Sequence, residues 1–295
     1  MNFTLQDTFS IYRKIIAEPD IEKKREIFRQ ELMGPFEGMF RAFGATMRPQ
    51  PGSNDALVLL KSWSFLMPEL LDERAIDSIR KFERAGALKL CEQTMNDVLQ
   101  IFTNRSVNPQ HIQVGIFLQD SSKMDPSDRG YTGFGGIPGY VMLNYGEVTD
   151  YNLARLQAAL AHEAHHNIYG FGRAWDPAGI TVGRYIILEG LAESFAASLY
   201  GEELVGPWVA DFNMADMPRV KAIIKNGLNI KGFDAVRQYV FGDAKTGGKL
   251  DLPNTAGYVV GYHIVQAFVK KTGKDVVEAT ITPAEQIIEE SGFFD

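Results

Sequence analysis

Apolar residues recur at helical spacing along DTFSIYRKIIAEPDIEKKREIFRQELM, residues 7–33, with Pro19 interrupting the run. The same spacing returns in RAIDSIRKFERAGALKLCEQTMNDVLQIF, residues 74–102, where Gly86 marks a break. Between them MRPQPGSND reads as a loop. The pattern changes at HIQVGIFLQD, residues 111–120, a short apolar stretch rich in β-branched residues, which predicts a strand. A loop rich in Ser, Asp, Pro and Gly then runs to about Gly136, and GYVMLNY predicts a second short strand. Helical spacing resumes in TDYNLARLQAALAHEAHHNIYG, with Thr149 or Asp150 as N-cap and Gly170 as the stop. A further helix covers VGRYIILEGLAESFAASLYG up to Gly201, and others are expected over 215–226, 232–241, 255–271 and 283–291. The order predicts an α+β, mainly α protein with a small sheet: an N-terminal helical region, residues 1–110, packed on a second part, residues 111–295.

On the helix of residues 151–169, Leu153, Leu156, Leu160 and Ala164 share one side, and His162 and His166 fall together on the opposite side. A simple amphipathic helix would place solvated charge there. Side chains at i and i+4 are neighbours on a helix face, so the two imidazoles can reach one metal ion. Glu163 projects beside them, able to take a proton from a water acidified by that ion without binding the ion itself. His165 lies well round from the pair and reads as supporting or surface. His111, at the start of the first strand, reads as structural.

A catalytic zinc takes three protein ligands and keeps one position open. Cys91 is the chain's only cysteine, so a cysteine-rich site and an internal disulfide are both excluded. Cys91 reads as a packed thiol on a helix. The third ligand should be His, Asp or Glu. Glu189 lies on the next helix, with Glu193 one turn later, while Ile187, Leu191, Phe195 and Leu199 take the other side. Two carboxylates one turn apart repel unless a cation intervenes. Glu189 is assigned as the metal ligand, and Glu193 as acceptor of the free ring N–H of a ligand histidine, His162 first. Gly190, Ala192 and Ala196 leave room for a close neighbour. One Zn2+ per chain follows.

Net charge is −7, spread along the chain, which argues against a nucleic-acid partner. No apolar run reaches the ~18 residues of a membrane span, and the N-terminus has no signal-peptide pattern. These readings give a cytoplasmic enzyme without a membrane partner.

HEAHH followed by EGLAE resembles the gluzincin branch of zinc metallopeptidases. More narrowly, HEAHHN, LEGLAE and GYVVGYHIV resemble the domain-of-unknown-function family 2268 of predicted zinc-dependent proteases, over residues from about 110 to the end. The resemblance implies a zincin-like fold and peptidase activity. It departs at Glu193, where thermolysin-like enzymes carry Asp; either can receive an imidazole N–H. By analogy with gluzincins, Tyr258 or Tyr262, with His263 one step round, would stabilise the oxyanion. Zincins commonly bind an extended peptide or protein substrate along a strand edge, and GGIPGYVMLNY is the expected edge, with Gly139, Tyr140 and Val141 as substrate-binding residues and Pro138 suited to an edge position. Two other readings remain: the same zinc site acting on a non-peptide amide or ester, and a helical interaction protein with a structural zinc. Glu163 speaks against the last, since a structural site has no use for a base.

Overall fold

The computed structural model describes residues 2–49, 51–105, 110–169, 176 and 178–295. The stop expected at Gly170 lies outside the described residues. The chain forms two compact units, Met1–Ile168 and Tyr169–Asp295. The architecture is α+β and mainly α.

In the first unit, β1 (Phe3–Leu5) precedes α1 (Thr8–Ala17) and α2 (Ile21–Ile27). Pro19 separates the two helices, and Asp7 and Asp20 cap them through side-chain bonds to backbone N–H groups. After α2 the chain continues as a π-helical stretch, Phe28–Met33, and then α3 (Glu37–Ala42). The segment read as a loop holds β3 (Asn54–Asp55), paired in parallel with β2 (Ala45–Thr46). Arg29 donates to both oxygens of Asp55, at 2.8 and 2.7 Å, and ties this small ladder to the π-helical stretch. Helices α4 (Ala56–Ser62), α5 (Glu73–Arg84) and α6 (Ala87–Asn104) follow. Gly86, with φ of +66°, makes the break between the last two.

The sheet adds β4 (Ile112–Leu118), β5 (Tyr131–Phe134) and β6 (Tyr140–Tyr145). Its order is β1-β4-β6-β5. The β1–β4 and β4–β6 pairs are parallel, while β5 runs antiparallel to β6. Strand β4 is buried on both faces, as its near-continuous apolar run requires.

Two expectations are corrected here. The segment from 121 to 136 is not one loop; Arg129 and Gly130, both with positive φ, turn the chain into β5. Four residues, YTGF, are too few for their alternation to show among glycines. As a result β6 is not an edge strand. It has β4 on one side and β5 on the other, and the sheet ends at β5.

Helix α7 (Asp150–Ala154) starts at Thr149 with a capping box to Asn152. The single helix expected over 151–169 is divided at Arg155, and α8 (Leu156–Tyr169) follows.

The second unit is built on α9 (Val182–Tyr200), which ends at Gly201. Then come α10 (Pro207–Ala210), α11 (Met217–Gly227), α12 (Phe233–Phe241), α13 (Asp243–Thr246), α14 (Ala256–Thr272), α15 (Val276–Thr280) and α16 (Ala284–Ser291). Helices α9 and α14 approach at Gly190 and Gly261. A Cβ on Gly190 would stand 2.8 Å from the backbone nitrogen of Tyr262. Ile186, Leu191, Val260, Ile264, Val265 and Phe268 fill the apolar core around this crossing. Among the described residues, no helix is long and apolar enough to cross a membrane.

Candidate metal centre

Small residues let α8 pass through the interior. Ala158, Ala159, Ala161 and Ala164 are buried along it, and the helix is enclosed on nearly every side from Ala158 to Ile168. This is a stronger enclosure than the leucine face alone implies. His162 and His166 are each 3% exposed. Their Nε2 atoms lie 3.0 Å apart, with ring planes at 81°. The i, i+4 spacing has therefore brought two nitrogens toward one point. A tetrahedral ion with Zn–N bonds of 2.0–2.1 Å would want them about 3.3 Å apart.

Glu163 is buried on the same helix, and strand β5 makes room for it. A Cβ on Gly133 would stand 2.5 Å from Glu163 Cγ and 2.6 Å from Cδ. Gly135 similarly meets the helix backbone, where a Cβ would lie 2.8 Å from the Glu163 carbonyl carbon. Two glycines of the strand and its exit thus permit the close approach of sheet and helix. His165 is buried, not on the surface, and its ring lies 5.9 Å from that of Phe102.

Asn167, which sequence reasoning passed over, locks the connection from β5 to β6. Its Nδ2 donates to the carbonyls of Gly135, Ile137 and Tyr140, at 3.2, 2.7 and 2.9 Å. Its Oδ1 accepts the N–H of Gly139 at 3.0 Å. An amide side chain directly after His166 was the available signal. Gly139, with φ of +88°, also accepts the Gln113 N–H through its carbonyl at 2.8 Å. Tyr140 and Val141 pair with Gln113 and Val114 of β4. The backbone at the start of β6 is therefore engaged by β4 and Asn167. His111 Nε2 lies 3.1 Å from Thr4 Oγ1.

On α9, Glu189 and Glu193 are both buried. Glu193 accepts the Gly206 N–H through Oε1 and the Trp208 indole N–H through Oε2, each at 2.6 Å. Gly206 and Trp208 were not foreseen, because neither carries chemistry that singles it out in the sequence. Among the described residues, one group of three potential ligands comes together: donor atoms of His162, His166 and Glu189 all lie within 4.8 Å of one another. Two imidazoles and a carboxylate are a donor set that suits zinc.

Tyr258, Tyr262 and His263 lie on α14. Tyr258 packs its ring 6.1 Å from both Trp208 and Phe241. Tyr262 joins Ala197 and Val205 in a small apolar cluster. Burial, followed by the carboxylates of Glu202 and Glu193, pushes its phenol up to about 12, so it remains a proton donor at neutral pH. Burial also lowers His263 below the usual histidine range and favours the neutral ring. Cys91, buried on α6, is pushed up to about 12 and is a packed thiol.

The family described as predicted Zn-dependent protease, domain of unknown function 2268, matches residues 87–289. The chain belongs to this family. The match begins at α6, ahead of the region near residue 110 where the motifs start. It includes His162, Glu163, His166, Glu189 and Glu193. The chain is also similar to the uncharacterized protein YjfC of Bacillus subtilis strain 168, with 33% identity over 305 residues, covering all of this chain and 99% of that protein. No solved structure matches.

Proposed function

We propose that this member of the family is a zinc metallopeptidase in which His162, His166 and Glu189 hold one ion and Glu163 is the general base. The observation that carries the reading is the buried convergence of those three ligands, with a glutamate that is not one of them next to the first. When bound, the ion would lower the pKa of a water toward ~7 and polarise the scissile carbonyl. Glu163 accepts a proton from the attacking water and passes it to the leaving amine. Tyr258 and Tyr262 are the candidate donors to the developing oxyanion, with His263 as the further candidate. Glu193, held by Gly206 and Trp208, is the candidate acceptor for the free ring N–H of a ligand imidazole. With β6 internal, the sheet edge available for peptide addition is β5, and Gly139, Tyr140 and Val141 bear on substrate through the connection that Asn167 fixes.

The test compares wild type with Glu163→Gln for zinc content and for cleavage of casein and a peptide library. Full zinc with cleavage lost only in the variant supports the reading. Equal cleavage by the variant refutes the role of Glu163.

A further inference from the structure

On the other side of the sheet from Glu163, a hollow of about 350 Å³ opens beside β5. That is the lower end of the range for ligand pockets, suited to one large side chain. Phe43, Trp63 and Phe134 form its walls. Phe43 meets Trp63 edge to face at 5.0 Å, and Phe134 lies 6.2 Å from each. Phe43 is 43% exposed, an open aromatic surface at the rim. Polar groups line the interior. Asn144 is 6% exposed, and its Oδ1 meets no donor among the described residues. Gln119 Oε1 is buried in the same condition, while its Nε2 donates to the Trp63 carbonyl at 2.8 Å. Buried acceptors are normally paired. The lining contains no charged side chain.

We propose that this hollow receives a tyrosine side chain of the peptide substrate, one residue along from the residue that faces Glu163. The inference rests on the peptidase reading and adds a specificity determinant to it. The aromatic walls match a planar ring, and the two free oxygens match a donor at its far end. A lysine or arginine would bury its charge there without a counter-ion. The position follows from the strand. A Cβ on Gly133 would point at Glu163, whereas Phe134 points into the hollow. Asn144 and Met142, opposite Thr132 and Phe134 on β6, share that second face. The sheet ends at β5, so a peptide adding as the next strand would alternate in step with it. Its residue beside Gly133 faces Glu163, and the neighbours face the hollow.

The experiment measures binding of zinc-loaded Glu163→Gln protein to decapeptides in which Tyr, Phe or Ala is fixed at each position in turn. Tyr should exceed Phe about 5–10-fold at one position, and Ala should be weaker than both. Asn144→Leu should erase the Tyr/Phe difference while Phe peptides still bind. Phe43→Ser, at the exposed rim, should weaken Tyr and Phe peptides alike and leave Ala peptides unchanged. Absence of a Tyr preference, or Tyr and Phe peptides that bind Phe43→Ser as tightly as they bind the parent protein, overturns the proposal. Wild-type cleavage of the same peptides separates the two claims. Tyr-dependent binding without cleavage keeps the hollow and sinks the peptidase reading; cleavage indifferent to Tyr does the reverse. Neither binding nor cleavage of any peptide sinks both.

Discussion

Gly133→Ala is the sharpest perturbation the structure offers. The added methyl would stand 2.5 Å from Glu163 Cγ and 2.6 Å from Cδ, where ordinary contact begins at 3.4 Å. The carboxymethyl group must therefore swing by about 0.9 Å. A misplacement of ~1 Å costs about 10²-fold in rate, which corresponds to about 2.7 kcal/mol of activation free energy. Folding should suffer little, because the displaced atoms end a flexible side chain and alanine restricts the unfolded chain by ~0.4–1 kcal/mol in the variant's favour. Gly135→Ala is the contrasting case. Its methyl would stand 2.8 and 3.0 Å from the Glu163 carbonyl carbon and Cα, which are helix backbone and cannot swing. That substitution should cost about 1–3 kcal/mol of stability, or roughly 2–4 °C in Tm for each kcal/mol. The assay pairs kcat/KM on a peptide that the wild type cleaves with thermal unfolding of both variants. If Gly133→Ala keeps activity within about threefold while zinc and Tm are unchanged, the placement of Glu163 at the reacting centre is wrong.

His166→Ala should abolish stoichiometric zinc binding, read by elemental analysis after gel filtration; retention of full zinc would remove the metal centre as drawn. Glu193→Gln should weaken zinc affinity ~10–100-fold and Glu189→Gln by more, measured by competition with a chelator. The reverse order would exchange their roles. Arg29, hydrogen-bonded to Asp55, holds that carboxyl below its usual value of 3.8. Its contribution is therefore complete above about pH 4 and is lost as pH falls through the lowered value. Urea midpoints at about pH 5 and about pH 3 should differ less for Asp55→Asn than for wild type; equal differences would show that the ion pair plays no part.

Legibility in the sequence followed the range of the interaction. The i, i+4 pair His162/His166 is a local geometric fact, so one turn of helix sufficed to read it. Thr149, Pro19, Gly86 and Gly201 acted where their backbone chemistry says they should. Strand β5 was hidden because its partner on β6 begins eight residues beyond Phe134 for the pair with Met142, and YTGF alone has no strand signature among glycines. The bond from Trp208 to Glu193 joins a short loop-flanked helix to the middle of α9, a contact that no periodicity encodes. Phe43, Trp63 and Phe134 were equally unreadable as a group, since each comes from a different segment. Gly261, within GYVVGYHIV, serves the crossing with Gly190, a close approach that only the packed pair of helices reveals.

The pairing of β1 with β4 has a consequence for synthesis. Phe3 finds its partner at Ile112 and Leu5 at Val114, so β1, once it has left a ribosome, has no mate until more than a hundred further residues have been made. At ~5–20 residues per second that wait is roughly 5–20 s, long beside the microseconds in which a helix such as α1 can form. Helices can come and go throughout the interval, but the sheet cannot close. Translation speed across residues 6–118 therefore sets how long Phe3–Leu5 stays available to a chaperone or to the strand of a neighbouring nascent chain.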